Sequence, residues 1–253
     1  MRGITAACRA LCLAAGLGAS AGAGAAVAAA ESVVDVARAT VRLPAGEWLS
    51  LARSTVDAVR VNDQRSIPAE VLTLALVHDQ QLDALVTITA TAGGAGGLVN
   101  WTSSCEPPEP GIWSARPVGA NPSDMECAYA SAAFAPDDFL SESTDWGREA
   151  RSRGLRAPDE MVLASAVVGS RMGSWMSVEV LASADFAGAQ EPLSGVGDAA
   201  LPSDVDDRHA AYAVQLLNRV RDCVYSIRGQ MDFPPIHFIP AAPAEARIAR
   251  LDL

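Results

Sequence analysis

Few side chains in this chain are equipped for chemistry, and most of them stand alone. His78, His209 and His237 are scattered, without the spacing that lets histidines share a metal ion, and no Cys-x-x-Cys pair is present. The densest ionisable run is "DVDDRH", Asp204 to His209. It lacks the glycine and the distal glutamate of a calcium loop. Its acids suit the cap and first turn of a helix, where negative charge complements the helix dipole. His209 with Asp206, or His78 with a carboxylate that folding brings near, is the available route to general acid–base chemistry. Gly-x-Ser-x-Gly, His-Glu-x-x-His and Gly-x-Gly-x-x-Gly patterns do not occur, so no metal site or cofactor is expected. All 19 basic residues are arginine. Without a lysine amine the chain cannot form Schiff bases, Ser–Lys dyads or a phosphate loop ending in Gly-Lys-Ser/Thr.

The remaining chemistry lies in the proline-studded stretch "NWTSSCEPPEPGIWSARPVGANPSDMEC", which holds Cys105 and Cys127. In an oxidising compartment these two are natural disulfide partners. Closing a loop of that size contributes about 3 kcal/mol. Cys223 falls on the apolar stripe of a helix and reads as a buried thiol, with pairing to Cys105 or Cys127 as the alternative. Trp101 and Trp113 bracket Cys105. They are candidate ligand-binding residues, as a stacking platform on a stapled loop, or else they pack the loop onto a sheet. Glu106, Glu109, Asp124 and Glu126 make the loop acidic, which suits a cationic or peptide ligand.

The oxidising compartment that such a pairing needs is implied by the start of the chain. Residues 1–30 open with Arg2 and Arg9, continue through an uncharged Leu/Ala/Gly run and end in Ala28-Ala29-Ala30. That is the layout of a secretory signal. The run is poor in bulky apolar residues for a membrane span. A periplasmic or secreted protein is therefore expected, with membrane contact only through an uncleaved leader. The whole chain carries a net charge of −11, and the leader holds no acidic residue. Such a surface repels phosphate backbones, so nucleic acid is not an expected partner.

The elements that must position these residues are mainly hairpins. "ATVRLPAGEWLSLAR" (Ala39 to Arg53) gives two extended runs around Pro44-Ala45-Gly46. Glu70 to Thr91 alternates as a hairpin, with Leu72, Leu74 and Leu76 on one face and a polar bend at His78 to Gln81. Met161 to Ser183 is a second hairpin, turning at Gly169 to Ser174. A helix is expected from a cap at Asp137 or Asp138 to a stop at Gly154, with Glu149 and Arg153 paired four apart. The longest helix runs over Val205 to Arg228. Its stripe is Ala213, Leu216, Leu217, Val220, Cys223, Val224 and Ile227. The fold class is α+β: a mostly antiparallel sheet built from hairpins, packed against two main helices. Residues 31–233 form a single domain, and 234–253 form a Pro-rich C-terminal tail.

The stretch "DWGREARSRGLRAPDEMVLASAV" joins a Trp-containing helix, an Arg-Gly-Leu exit, Pro158 and a strand. With the earlier "NWTSSC" and Cys127, it resembles uncharacterised exported proteins of GC-rich Gram-negative bacteria, a family of unknown function. The resemblance covers Trp48 to Arg228. It implies a periplasmic address and a stand-alone domain, and it brings no activity or functional residue with it. The expected function is non-catalytic binding of an envelope protein or small ligand. The alternative is an envelope hydrolase using His209 or His78 with nearby carboxylates.

Overall fold

The computed structural model describes residues 32–62, 65–93, 98–99, 101, 105–136, 140, 143–196 and 200–238. The leader, Asn100, residues 137–139 and residues 239–253 of the tail lie outside them. Period-two alternation of Val, Leu, Ile and Thr builds most of the chain into strands. In chain order these are β1 (Val33–Val36), β2 (Ala39–Arg42), β3 (Glu47–Asn62), β4 (Arg65–His78), β5 (Gln81–Thr91), β6 (Ile112–Ala115), β7 (Met125–Ser131), β8 (Met161–Gly169), β9 (Trp175–Ser183) and β10 (Gln230–Asp232). Helix α1 (Asp145–Ser152) lies between β7 and β8, and α2 (Asp207–Tyr225) between β9 and β10. The expected α+β class holds.

Seven strands form one antiparallel sheet in the order β3-β4-β5-β9-β8-β7-β6. The β4–β5 hairpin turns at Asp79 and Gln80, both with positive φ (50° and 62°). Two such residues match the right-handed twist of the flanking strands. The smaller sheet, β1-β2-β10, joins the two ends of the described chain, with β10 parallel to β2.

One face of the large sheet carries the core. Leu72, Leu74, Val86, Ile88, Ala164, Ala166, Val178 and Val180 face α2, which supplies Ala213, Leu216, Leu217 and Val220. Beneath the helix, β7 and β8 present Ala128, Ala130, Ala164 and Ala166, small enough to let it sit close. Each Leu or Val buried here contributes about 1.5–3 kcal/mol.

Two helix boundaries differ from expectation. Helix α1 begins at Asp145, because Thr144 accepts a hydrogen bond from the Gly147 amide (3.1 Å) and caps it there. The Glu149–Arg153 pair forms at 2.7 Å, and Gly154 follows with φ +70°. Helix α2 is capped by Asp206 and ends at Tyr225, where Ser226 turns extended. That break rotates Ile227 off the apolar stripe and leaves it fully exposed. The described start of the Pro-rich tail docks on the domain: the Tyr212 hydroxyl donates to the Pro234 carbonyl (3.3 Å), and Phe238 bridges Phe186.

Candidate functional site

Cys105 and Cys127 are joined, with Cα atoms 5.4 Å apart, and Cys223 is a buried free thiol. The bridge pins the loop to β7, and the Ser114 hydroxyl donates to the Cys105 carbonyl (2.6 Å). The two tryptophans do not form a platform. Trp101 is 7% exposed, its indole N–H donates to the Ser170 carbonyl (2.8 Å), and its ring packs against Gly169. Trp113 is 2% exposed and points from β6 into the main core. Both rings take the packing arrangement, the second of the two the sequence allows: large apolar rings beside a disulfide gain more from burial than from display.

The histidines do not assemble a catalytic pair among the described residues. His209 is buried, stacked on Phe186 at 5.5 Å, with Nε2 3.0 Å from the Phe186 carbonyl. Asp206 is occupied as the α2 cap and by Arg208. His78 stands at the hairpin tip, 3.8 Å from Asp79, with both side chains largely in water. An open depression of about 540 Å³ lies nearby, lined by Gln81, Asp83, Ala157, Pro158, Asp159, Ser183 and Asp185. Burial, with Asp185 adding to it and His78 opposing, holds the Asp83 carboxyl above its usual range. The Ser183 hydroxyl donates to the Asp185 carboxylate. No group of three potential metal ligands gathers among the described residues.

The most ordered polar constellation lies instead on the sheet face opposite α2. On each strand the residues between core positions point there. Cross-strand register aligns Ser114 with Tyr129, Tyr129 with Ser165, Ser165 with Glu179, Glu179 with Thr87, and Thr87 with Thr73. Six hydrogen-bonding side chains thus run in one row across six strands, roughly 24 Å at the usual inter-strand spacing. On one side of this row lie Leu163, Leu181 and Leu85. The face is packed at its two ends. Near the β4–β5 turn, Ala150, Trp146 and Leu155 of α1 and its exit cover Leu51, Ala75, Leu82 and Leu85. At the other end Val99 and Trp101 cover Ile67, Ala69, Met125 and Trp175.

Between those packed ends, Ser114, Tyr129 and Thr87 are half-buried, Ser165 and Thr73 are buried, and Glu179 is exposed. Burial alone raises the Glu179 pKa, and no charged or hydrogen-bonding group among the described residues offsets it. A carboxylate both wet and raised sits on the floor of a face: water reaches it from one side, while protein mass surrounds the rest. Burial also raises the Tyr129 pKa. Single-strand patterns display these residues, as with the lone acid in "MSVEVLAS". Their alignment depends on the β5–β9 pairing, which joins strands far apart in sequence.

No protein-family model, curated protein or solved structure matches this chain. The fold and the face define it as an α+β domain with one core-bearing and one partly open sheet face.

Proposed function

We propose that this protein is an exported, non-catalytic binding domain of the cell envelope, periplasmic or secreted, and that the open sheet face is its binding surface. The observation that carries this reading is the accessible part of that row, Tyr129, Glu179 and Thr87, with Glu179 exposed at its centre. Strand pairing holds its side chains at fixed spacing, so a ligand would meet a preorganised surface and lose little to reordering it. The row offers hydroxyls and one carboxylate, which orient a ligand, but no nucleophile–base pair to transform it. The leader-like residues 1–30 and the 105–127 disulfide support an oxidising, extracytoplasmic address. The acidic sequence argues against nucleic acid as partner.

The reading is tested by amide chemical-shift mapping with a panel of envelope-type small molecules: amines, sugars and short peptides. Shifts gathered at Thr87, Tyr129, Ser165 and Glu179, and abolished by Ser177→Arg beside the row, are expected. A panel that leaves these amides unmoved would overturn it.

A further inference from the structure

Among the described residues six large apolar side chains are exposed, and five of them share one end of the molecule. Leu98, Val118, Met172, Tyr225 and Ile227 lie on connections where β5, β6, β8 and α2 finish and β7 and β9 begin. Hydrogen bonds tie these connections together. The Arg171 amide donates to the Asp124 carboxylate (2.6 Å), and the Tyr225 hydroxyl reaches the same carboxylate. The Val99 amide donates to the Arg171 carbonyl (2.8 Å), and the Arg116 guanidinium to the Asp124 carbonyl (2.7 Å). Single exposed apolar residues are ordinary on a protein surface, but several gathered on one end mark a contact site.

Charge is divided between the two ends as well. Arg38, Arg171 and Arg228 are exposed at this end, and the Arg38 guanidinium donates to the Ser174 hydroxyl of the β8–β9 turn (2.6 Å). Gly229, next to Arg228, packs against the Arg38 carbonyl. The neighbouring acids Asp124 and Glu126 are buried, and exposed Asp222 is flanked on α2 by Arg219 and Arg221. Asp79, Asp83, Asp159, Glu160, Asp185 and Asp207 stand at the far end. Nine-residue strands such as β8 hold the two ends about 30 Å apart. Salt screens exposed charges over about 10 Å, so the net charge of −11 does not govern the arginine-bearing end.

We infer that this end docks on an anionic lipid surface, with its apolar tips in the headgroup layer and its arginines on lipid phosphates. Apolar tips on separate connections fit a fluid surface, which needs no matching shape. Burying them in the boundary between headgroups and acyl chains removes them from water. Tyr225 suits that boundary, since its ring is apolar and its hydroxyl polar. A guanidinium meets phosphate oxygens with paired donors, and arginine is the chain's sole basic residue. The leader is then not the chain's only contact with a membrane. This surface is separate from the sheet-face row and does not depend on it.

The full chain should be floated with vesicles of mixed phosphatidylglycerol and phosphatidylcholine, and with vesicles of phosphatidylcholine alone. It is expected to bind the anionic vesicles at least about fivefold more tightly, and to leave them in about 1 M salt, where screening shortens to about 3 Å. Joint Met172→Ser and Ile227→Ser substitution should weaken binding at least about tenfold. Arg171→Gln and Arg228→Gln should each weaken it about fivefold. Val33→Ser, exposed on β1 away from this end, should leave binding unchanged. All these positions are exposed, so the variants should melt with the parent. Residues 1–30 are common to every variant, so differences among them report this end of the domain. A parent that does not float with anionic vesicles overturns the inference. So does binding that survives the Met172→Ser and Ile227→Ser pair, or that Val33→Ser weakens as much. Self-association without vesicles, lost in the Met172→Ser and Ile227→Ser variant, would assign the tips to a second copy and overturn it too. None of these outcomes bears on the sheet face.

Discussion

The indole of Trp101 lies flat against Gly169, so close that a Cβ built on the glycine would stand 2.8 Å from ring atom Cε2. The ring is buried, held by its bond to the Ser170 carbonyl, and closes one end of the open sheet face. Gly169→Ala must displace it. The expected cost is about 1–3 kcal/mol, as for other overpacking changes. Thermal unfolding would measure it, and an unchanged midpoint would show that the ring is loosely held.

Disulfide removal acts close by, at Cys127 on β7, two residues from Met125, the register partner of Gly169. Cys127→Ser should lower stability by about 3 kcal/mol, or a midpoint shift of roughly 6–12 °C. Reduction of the parent should give the same shift. A Cys127→Ser variant that melts with the parent would mean that the loop is held by other contacts.

Glu126 is buried between β7 and α2, where the Tyr225 hydroxyl donates to one carboxylate oxygen (3.0 Å) and Arg221 lies 3.7 Å from the other. Burial first, then the Glu126 bond, drives the Tyr225 pKa upward. Tyr225→Phe leaves a buried acceptor short of its donor, which costs about 1–3 kcal/mol. A denaturant titration of the pair of proteins decides it; coincident midpoints would assign the bond no weight.

Asp206 caps α2, and its side-chain bond from Arg208 holds its carboxyl below the usual aspartate range. A depressed carboxylate contributes stability above its unfolded pKa and loses it as pH falls through the folded one. Asp206→Ala should therefore cost about 1 kcal/mol at neutral pH. The gap between the two proteins should narrow only once the pH falls below the ordinary aspartate range, about 3.9. A gap independent of pH would rule out the ionised cap.

Burial pushes the Cys223 thiol up to about 11, although Arg38 pulls it partly back. At pH 8 in native buffer, iodoacetamide should leave the Cys223 peptide unmodified, and denaturant should make it react fully. Peptide mass analysis reads both states. Rapid native labelling would place the sulfur in contact with solvent.

The Thr87/Ile88 and Glu179/Val180 alternations each assign a residue to a face without reference to any other strand. Gly154 and Asp206 mark helix ends through local backbone chemistry, and both hairpins are legible from their turns. Ile227 continues the apolar stripe in sequence but not in space, because the helical period runs past Ser226, where the backbone turns extended. Trp101 and Trp113 were legible only as aromatic residues near a cysteine; which way they face depends on the sheet beneath.

By itself, the order of residues determined the strands, the α2 stripe, the nearness of Cys105 to Cys127 and the absence of lysine chemistry. These follow from period, turn geometry and residue type, which act over a few positions. Only the tertiary structure decided that the indoles are buried, that His209 is enclosed, and that Ser114, Tyr129, Ser165, Glu179, Thr87 and Thr73 share one row. Lateral alignment comes from hydrogen-bonded register between strands such as β5 and β9. A one-residue slip in that register would turn the row away from the face.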